Sequence, residues 1–350
     1  MSIDPRRLVG VKAERVTNIS STDFPGHYPG EDHSWDAQKF KQNLKVQVQR
    51  VSNRSIDFDL VGVDASIANA LRRILLAEVP TIAIEHVYVY DNTTVIQDEV
   101  LAHRMGLIPL DVDPDMMTTL LPGDDLTDRN TLVFKVDFEC TRNPRPPPGA
   151  TEPEDLYLNH ELLSKHLSWH PEGEQKTYFG NHEPQPTNGD IVLAKLRPGQ
   201  RVQMDLHAIK SVGKDHAKFS PVATASYRIL PHISILKPIP KEHAKKFQQC
   251  FAPGVVDIDP TTHAVSINQK FVRNDTVTRE VLRHPEFEGY VELSRVRDHF
   301  LFNIESESAY EPARLFKESI KVMKAKLATV RASVELLRNP TRSEDVVMGS

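Results

Sequence analysis

Apolar residues recur with helical spacing near residue 70 of the chain. They fall at i, i+4, i+7 and i+8, so that one face of a helix would be apolar. Asp64 or Ser66 can cap the first turn, because a short side-chain oxygen accepts hydrogen bonds from unpaired first-turn amides. Pro80 would end the helix. The apolar stripe of this predicted helix consists of Ile67, Leu71, Ile74 and Leu75.

A second, longer stripe lies near the end of the chain, in a helix predicted to begin near Pro312. Its apolar residues step alternately by four and three, which is the heptad period of a helix that packs along another helix. Packing onto the chain's own sheet is the alternative, but a stripe this long and narrow favours a partner helix. The stripe consists of Phe316, Ile320, Met323, Leu327, Val330, Val334 and Leu337.

Between these helices the pattern changes to the alternation of β-strands. A hairpin is predicted over residues 44–60, and a turn of type II at Arg197–Gln200, where Pro198 and Gly199 occupy the central positions. A short helix is predicted over 97–105 and should end at Gly106 in a left-handed conformation. Further strands are predicted at residues 81–90, 131–140, 191–196, 201–209, 226–236 and 299–304. Helices and strands together indicate an α+β fold.

Composition narrows the function classes. Forty-three basic and 48 acidic residues give a net charge of −5, which does not indicate direct, sequence-specific binding of nucleic acid by this chain. Cys140 and Cys250 are the only cysteines and lie far apart, so neither a disulfide framework nor a cysteine zinc site is expected. No apolar run approaches the roughly 20 residues that span a bilayer, and no signal peptide opens the chain. We expect a soluble, intracellular protein without membrane contact.

Asp111, Asp113 and Asp115 are the strongest candidates for catalytic chemistry, since hard cations prefer oxygen ligands at such spacing. The EF-hand interpretation fails, because Met116 stands where that loop needs glycine and Pro122 where it needs glutamate. We expect a solvated acidic turn. A metal-dependent hydrolase that used these aspartates and nearby histidines is the alternative from another class. The candidate histidines, which we expect to be surface residues, are His160, His166 and His170.

Four segments together resemble the α-motif of the DNA-directed RNA polymerase α family. They are residues 69–75 (NALRRIL), 78–80 (EVP), 97–104 (QDEVLAHR) and 106–110 (GLIPL). Other stretches resemble the larger α-like subunits shared by RNA polymerases I and III, and they are scattered over most of the chain. These stretches are residues 17–26 (TNISSTDFPG), 193–200 (LAKLRPGQ), 215–230 (DHAKFSPVATASYRIL) and 297–306 (RDHFLFNIES).

The resemblance implies an RNA polymerase α-like dimerisation module, an antiparallel sheet with the α-motif helix and a long C-terminal helix, interrupted by an α+β insert domain. Mapped onto this chain, the dimerisation domain is 41–87 plus 222–340, and the insert domain is 88–221. Residues 1–40 would form an extended N-terminal arm, and residues 341–350 a disordered tail.

The resemblance also implies the function: a non-catalytic assembly subunit of RNA polymerases I and III, without catalytic residues, metal or cofactor. Both apolar stripes would form the interface with the small α-like subunit. The pair would then recruit the second-largest and largest catalytic subunits, and the small zinc-binding subunit shared by the nuclear polymerases. This chain would be located in the nucleus, in both the nucleolus and the nucleoplasm. The equivalent subunit of RNA polymerase II is the alternative, against which the missing zinc cysteines argue.

Arg72 and Arg73 are the charged residues that this resemblance singles out. They lie in the α-motif helix but off its apolar stripe. In the family the arginines at these positions face the large catalytic subunits, and arginine suits such an interface because its five donors recognise carboxylates. The alternative is that both are solvated helix residues, which is the usual position of arginine.

Overall fold

The computed structural model describes residues 3–18 and 34–338, and the predicted tail at 341–350 lies outside them. No helix in these two ranges is long and apolar enough to cross a membrane. The α-helices are α1 (Ala37–Asn43), α2 (Ala65–Ala77), α3 (Asp98–Gly106), α4 (Pro153–Leu156), α5 (Gln175–Phe179), α6 (Ala244–Gln249) and α7 (Pro312–Arg338).

The strands up to residue 170 are β1 (Leu8–Val11), β2 (Val16–Thr17), β3 (Lys45–Val51), β4 (Ser55–Val61), β5 (Pro80–Asn92), β6 (Leu110–Asp111), β7 (Thr131–Glu139), β8 (Thr141–Arg142), β9 (Tyr157–Leu158), β10 (Glu161–Leu163) and β11 (Ser168–His170). The remaining strands are β12 (Gln185–Pro186), β13 (Val192–Lys195), β14 (Arg201–Val212), β15 (Val222–Ile235), β16 (Val256–Ile258), β17 (Val265–Ile267) and β18 (Val291–Ser306).

The chain forms two compact units. Of the described residues, the first contains 3–18, 34–52, 56–70 and 226–303, and the second contains 53–55, 71–225 and 304–338. This division groups helix α7 with the middle of the chain, whereas the predicted domains group it with the segment from residue 222. The predicted dimerisation and insert domains therefore stay a prediction.

The first unit is built on a sheet with strand order β2-β1-β18-β4-β3, in which β15 also pairs with β18. Strand β1 runs antiparallel to β18, and its Val9 and Val11 are buried. Arg7, just before it, donates from Nε and Nη2 to the Asp298 carboxylate at 2.8–3.0 Å. Part of the predicted extended arm is thus a strand held in the sheet, because its apolar residues and its backbone both have partners.

The second unit is built on an antiparallel sheet with strand order β11-β7-β14-β5. Along β14 buried and half-buried residues alternate, so that Val202, Met204, Leu206 and Ala208 point to the core. This is the period of two that places alternate side chains on opposite faces of a strand. The turn before β14 is confirmed, since Gln200 N–H donates to the Arg197 carbonyl and Gly199 has a φ of +86°.

Helix α3 differs from its prediction by one residue at each end. Gly106 belongs to the helix, which is capped by Leu107 in a right-handed conformation (φ −84°, ψ −2°), so the predicted left-handed stop is wrong. Glycine is favoured there for space, because a Cβ would lie 3.3 Å from the Ile84 carbonyl oxygen. The predicted α+β class is confirmed by the mixture of helices with antiparallel sheets.

Candidate subunit interface

Helix α2 carries the first predicted interface stripe. The Asp64 carboxylate accepts from the Ser66 N–H at 2.8 Å, and hydrogen bonding to Ser66 lowers the pKa of Asp64. Leu71, Ile74 and Leu75 are at most 5% exposed, while Ile67 is half-buried. Because three of the four side chains are already covered within this chain, they belong to its own core. Their contact with a partner stays a prediction.

The two arginines of α2 differ in exposure. Arg72 is half-buried, whereas Arg73 is exposed. Within residues 3–18 and 34–338, Arg73 forms no ion pair with an aspartate or glutamate. Its guanidinium donors can therefore meet a carboxylate of another chain, and that role also stays a prediction.

Helix α7 carries the second stripe, and here most of the apolar residues are exposed. Phe316 and Met323 are half-buried. Ile320 is 39% exposed, and from Lys324 to Arg338 every residue is exposed. The exposed fractions in this last part are 62% for Leu327, 59% for Val330, 47% for Val334 and 82% for Leu337. A contiguous apolar row on an exposed helix is typical of a surface that another protein covers.

The first turn of α7 is anchored by a cluster of charges. Arg314 donates to both carboxylate oxygens of Asp113, at 2.6 and 3.0 Å, and to Asp115 at 2.7 Å. Burial opposes ionisation of Asp113, but hydrogen bonds from Arg314 and the Asp115 backbone outweigh it and lower the pKa of Asp113. The guanidinium also lies 4.8 Å from the ring centroid of Tyr310. Of the three aspartates predicted to form a solvated turn, Asp113 and Asp115 are ion-paired to the base of this helix, although Asp115 stays exposed. Asp111 is half-buried, and its carboxylate lies 3.7 Å from His182 Nε2.

A second ion pair holds α7 at its middle. Lys326 Nζ donates to both carboxylate oxygens of Glu78 at 2.7 Å, and Glu78 follows α2 directly along the chain. Exposed ion pairs of this kind contribute little stability, on the order of 0–1 kcal/mol. Their consequence is geometric: the helix is held on one side, while Leu327 and the residues beyond it remain uncovered.

Strand β3 presents another uncovered apolar surface, which sequence reasoning did not assign to a site. Val46, Val48 and Val51 are 51%, 57% and 59% exposed. Paired residues of antiparallel strands share one face of the sheet. The partners on β4 are all buried, and the pairs are Val46 with Leu60, Val48 with Phe58 and Val51 with Ile56. The apolar face therefore continues onto an edge strand. The alternation of valines was the available signal.

The candidate histidines do not converge on a metal site. His166 is half-buried, and its Nδ1 accepts from the Leu163 N–H at 3.0 Å while its ring stacks 4.5 Å from that of Phe138. Burial lowers the pKa of His166. His160 is also half-buried and His170 is exposed, so His166 differs from the predicted surface histidine chiefly in its ring stacking and backbone hydrogen bond. In the part of the chain that the structure describes, no three His, Cys, Asp or Glu side chains are grouped to hold a metal.

Comparison with known proteins identifies the family. Residues 57–327, well over half of the chain, match the profile described as the RNA polymerase Rpb3/Rpb11 dimerisation domain. The chain belongs to this family. The match begins within β4 and ends at Leu327, so it includes all of α2 and more than half of α7.

Individual relatives agree along almost the whole length. The chain is 49% identical over 323 residues to "DNA-directed RNA polymerases I and III subunit RPAC1" of Saccharomyces cerevisiae, covering 91% of this chain and 96% of the yeast protein. It is 45% identical over 312 residues to the Homo sapiens protein of that name, covering 89% and 90%. It is 28% identical over 300 residues to "DNA-directed RNA polymerase II subunit rpb3" of Dictyostelium discoideum, covering 83% and 94%.

The resemblance to the α-like subunits is thereby confirmed for the family and for the fold of its dimerisation domain. The family name gives the stripe of α7 a physical context, because a dimerisation domain must expose apolar surface before its partner binds. Strand β3 lies just before the matched residues, so the apolar surface on it is a feature of this chain beyond the family profile.

Proposed function

We propose that this chain is a non-catalytic assembly subunit of RNA polymerases I and III. The observation that carries the proposal is the 45–49% identity, over about 90% of the chain, to proteins named as subunits of those two enzymes. Relatives named as RNA polymerase II subunits are less similar, at 28–29% identity, so they support that assignment less well. Nucleotidyl transfer would belong to the assembled enzyme.

We infer that the small α-like subunit covers the stripe of α7 and forms a one-to-one heterodimer with this chain. Burial of apolar side chains would drive the pairing, at roughly 25 cal/mol for each Å² removed from water. The uncovered valines of β3 are candidates for a further part of the same interface. The half-buried Ile67 of α2 can also contribute, whereas its buried neighbours would act by holding the helix in place.

The heterodimer would then serve as a platform for the second-largest and largest catalytic subunits, with Arg72 and Arg73 directed at their carboxylates. The small zinc-binding subunit shared by the nuclear polymerases would join the same assembly. With such a role the chain would act in the nucleus, in the nucleolus with polymerase I and in the nucleoplasm with polymerase III. The aspartates at 113 and 115 have a structural role in this account, since Arg314 occupies them.

Co-expression tests the pairing. With the small α-like subunit, the chain should elute from size exclusion as a monodisperse one-to-one complex, measured by multi-angle light scattering. Expressed alone, it should be poorly soluble or form aggregates of no fixed stoichiometry, because the stripe of α7 then has no cover. A stable monomer that ignores the small subunit would contradict the proposal.

A further inference from the structure

Helix α7 carries a row of positive charge directly beside its apolar stripe. When the stripe residues occupy the a and d positions of a heptad, the four e positions are all basic and all exposed. These residues follow one another at intervals of seven, so they form a line along one edge of the stripe. We call this line the basic row, and it consists of Lys317, Lys324, Arg331 and Arg338.

The opposite edge of the stripe contains little negative charge to balance the row. Its g positions are Ser319, Lys326 and Ser333. The acidic residues of α7 are Glu318 and Glu335, against seven basic residues, so the helix has a net charge of +5 in a chain whose net charge is −5. The basic residues are Arg314, Lys317, Lys321, Lys324, Lys326, Arg331 and Arg338.

The two acidic residues also have partners within the helix itself. Glu318 accepts from Lys321 at 2.7 Å, and Glu335 accepts from Arg331 at 3.0 Å. Among the residues that the structure describes, Lys317 and Lys324 form no ion pair. The basic row therefore presents positive charge to whatever covers the stripe.

We propose that the occupant of the α7 stripe is a helix of a different chain whose facing edge is acidic. This inference rests on the proposed function and names the chemistry by which the partner is selected. In paired helices the stripe provides affinity, while charges at the e and g positions set partner choice and orientation. A partner helix with glutamate or aspartate along its facing edge would pair with the basic row in register.

The same charges disfavour a second copy of this chain. In an antiparallel pair of α7 helices, each basic row would face the other basic row. In a parallel pair, each basic row would face the edge that carries Lys326. Either arrangement brings like charges together and offers no acidic partner. This repulsion would disfavour a second copy of the chain and so make the interface specific for another partner.

Charge reversal on the row tests the proposal in the co-expressed complex with the small α-like subunit. Lys324→Glu combined with Arg331→Glu should weaken binding about tenfold in 0.1 M NaCl, since two attractions become two repulsions. The difference should shrink in 1 M NaCl, where the Debye length falls to about 3 Å. The matched control, Lys176→Glu with Lys245→Glu, makes the same change of charge at exposed positions elsewhere and should bind as the parent does.

Two synthetic helical peptides of 28 residues provide a second readout on the parent chain. Both carry leucine at the a and d positions, and their edges carry either glutamate or lysine throughout. The glutamate peptide should compete with the small subunit at least tenfold better than the lysine peptide. Equal competition by the two peptides, or parent-like binding of the double reversal in 0.1 M NaCl, would overturn the acidic-partner inference.

Leu327→Asp separates this failure from failure of the proposed function. If Leu327→Asp abolishes binding while charge reversal has no effect, the helix is the interface and only the selection by charge is wrong. If Leu327→Asp binds like the parent, α7 is not the interface. That result would contradict both the proposed pairing and the acidic-partner inference.

Discussion

Arg73 is the side chain whose position separates assembly from folding most clearly. It is exposed on α2, next to Leu71, Ile74 and Leu75, which are buried. Arg73→Ala should therefore leave the small α-like subunit bound and weaken capture of the second-largest polymerase subunit. Losing one side of a buried charged pair costs roughly 2–5 kcal/mol, whereas an exposed arginine costs under about 1 kcal/mol.

A two-step pull-down measures both interactions of the Arg73 variant, with Arg145→Ala as the control at another exposed position. Loss of the small subunit would mean that Arg73 supports the dimer itself. Retention of both subunits would return Arg73 to an ordinary solvated helix residue.

His232 on β15 should make the stability of the chain depend on pH. Burial lowers its pKa, with Glu292 opposing the shift, and its Nδ1 lies 3.1 Å from Ser294 Oγ. The unfolded chain, with an ordinary histidine pKa of about 6.5, then binds more protons than the folded chain as the pH falls below that value. The contribution of His232 to the free energy of unfolding is therefore fully present above about pH 6.5, and it decreases as the pH falls below that value.

Thermal unfolding of the complex at pH 7.5 and pH 5.5 measures this dependence. His232→Gln removes the titrating group. The decrease in melting temperature from pH 7.5 to pH 5.5 should therefore be smaller for the variant than for the parent. His170→Gln, at an exposed position, is the matched control. If the melting temperatures of the parent and the His232 variant change equally with pH, the His232 imidazole does not contribute to the pH dependence of stability.

Contacts between side chains far apart in the sequence could not be predicted from the pattern of apolar and polar residues. Arg314 and Asp113 are 201 residues apart, and nothing in either local sequence indicates that they meet. The periodicity of α2 was read correctly as a stripe, but a stripe does not say whether the chain itself or a partner covers it. Leu71 is buried by residues of this chain, whereas Leu327 is exposed.

Among the elements, α7 is the one on which the proposed pairing depends. Leu327→Asp places a carboxylate in the middle of the stripe, where an unpaired charge costs several kcal/mol or must take up a proton. Binding of the small subunit, measured by pull-down and by light scattering, should be lost. Ala325→Asp adds the same charge on the opposite side of the helix, at an exposed position, and should bind normally. Equal binding of both variants would exclude α7 as the interface.

Regular elements with strong periodicity were predicted well, and those defined by distant pairing were not. The strand predicted at 131–140 is β7, Thr131–Glu139, because from Phe134 onward buried apolar residues alternate with exposed charged ones. Strand β1 was missed, since Leu8–Val11 is too short to show a period and acquires its structure from β18. Gly106 was assigned to a left-handed stop because glycine allows two explanations, conformational freedom and small size, and here its small size decides.

For the molecule as a whole, the family and the class of fold could be recognised from the sequence, while the predicted dimerisation and insert domains stay a prediction. The predicted domains followed chain order and resemblance. The compact units reflect contacts such as Arg314 with Asp113 and Lys326 with Glu78, which join α7 to the middle of the chain. The net charge of −5 likewise conceals a helix of the opposite sign.

Purification of the tagged chain from cells, followed by mass spectrometry of its partners, tests most directly whether it is an assembly subunit of two polymerases. The small α-like subunit should be recovered in equal amount, together with subunits specific to RNA polymerase I and subunits specific to RNA polymerase III. Subunits specific to RNA polymerase II should be absent. Recovery of RNA polymerase II subunits alone, or of the chain without any polymerase subunit, would contradict the account.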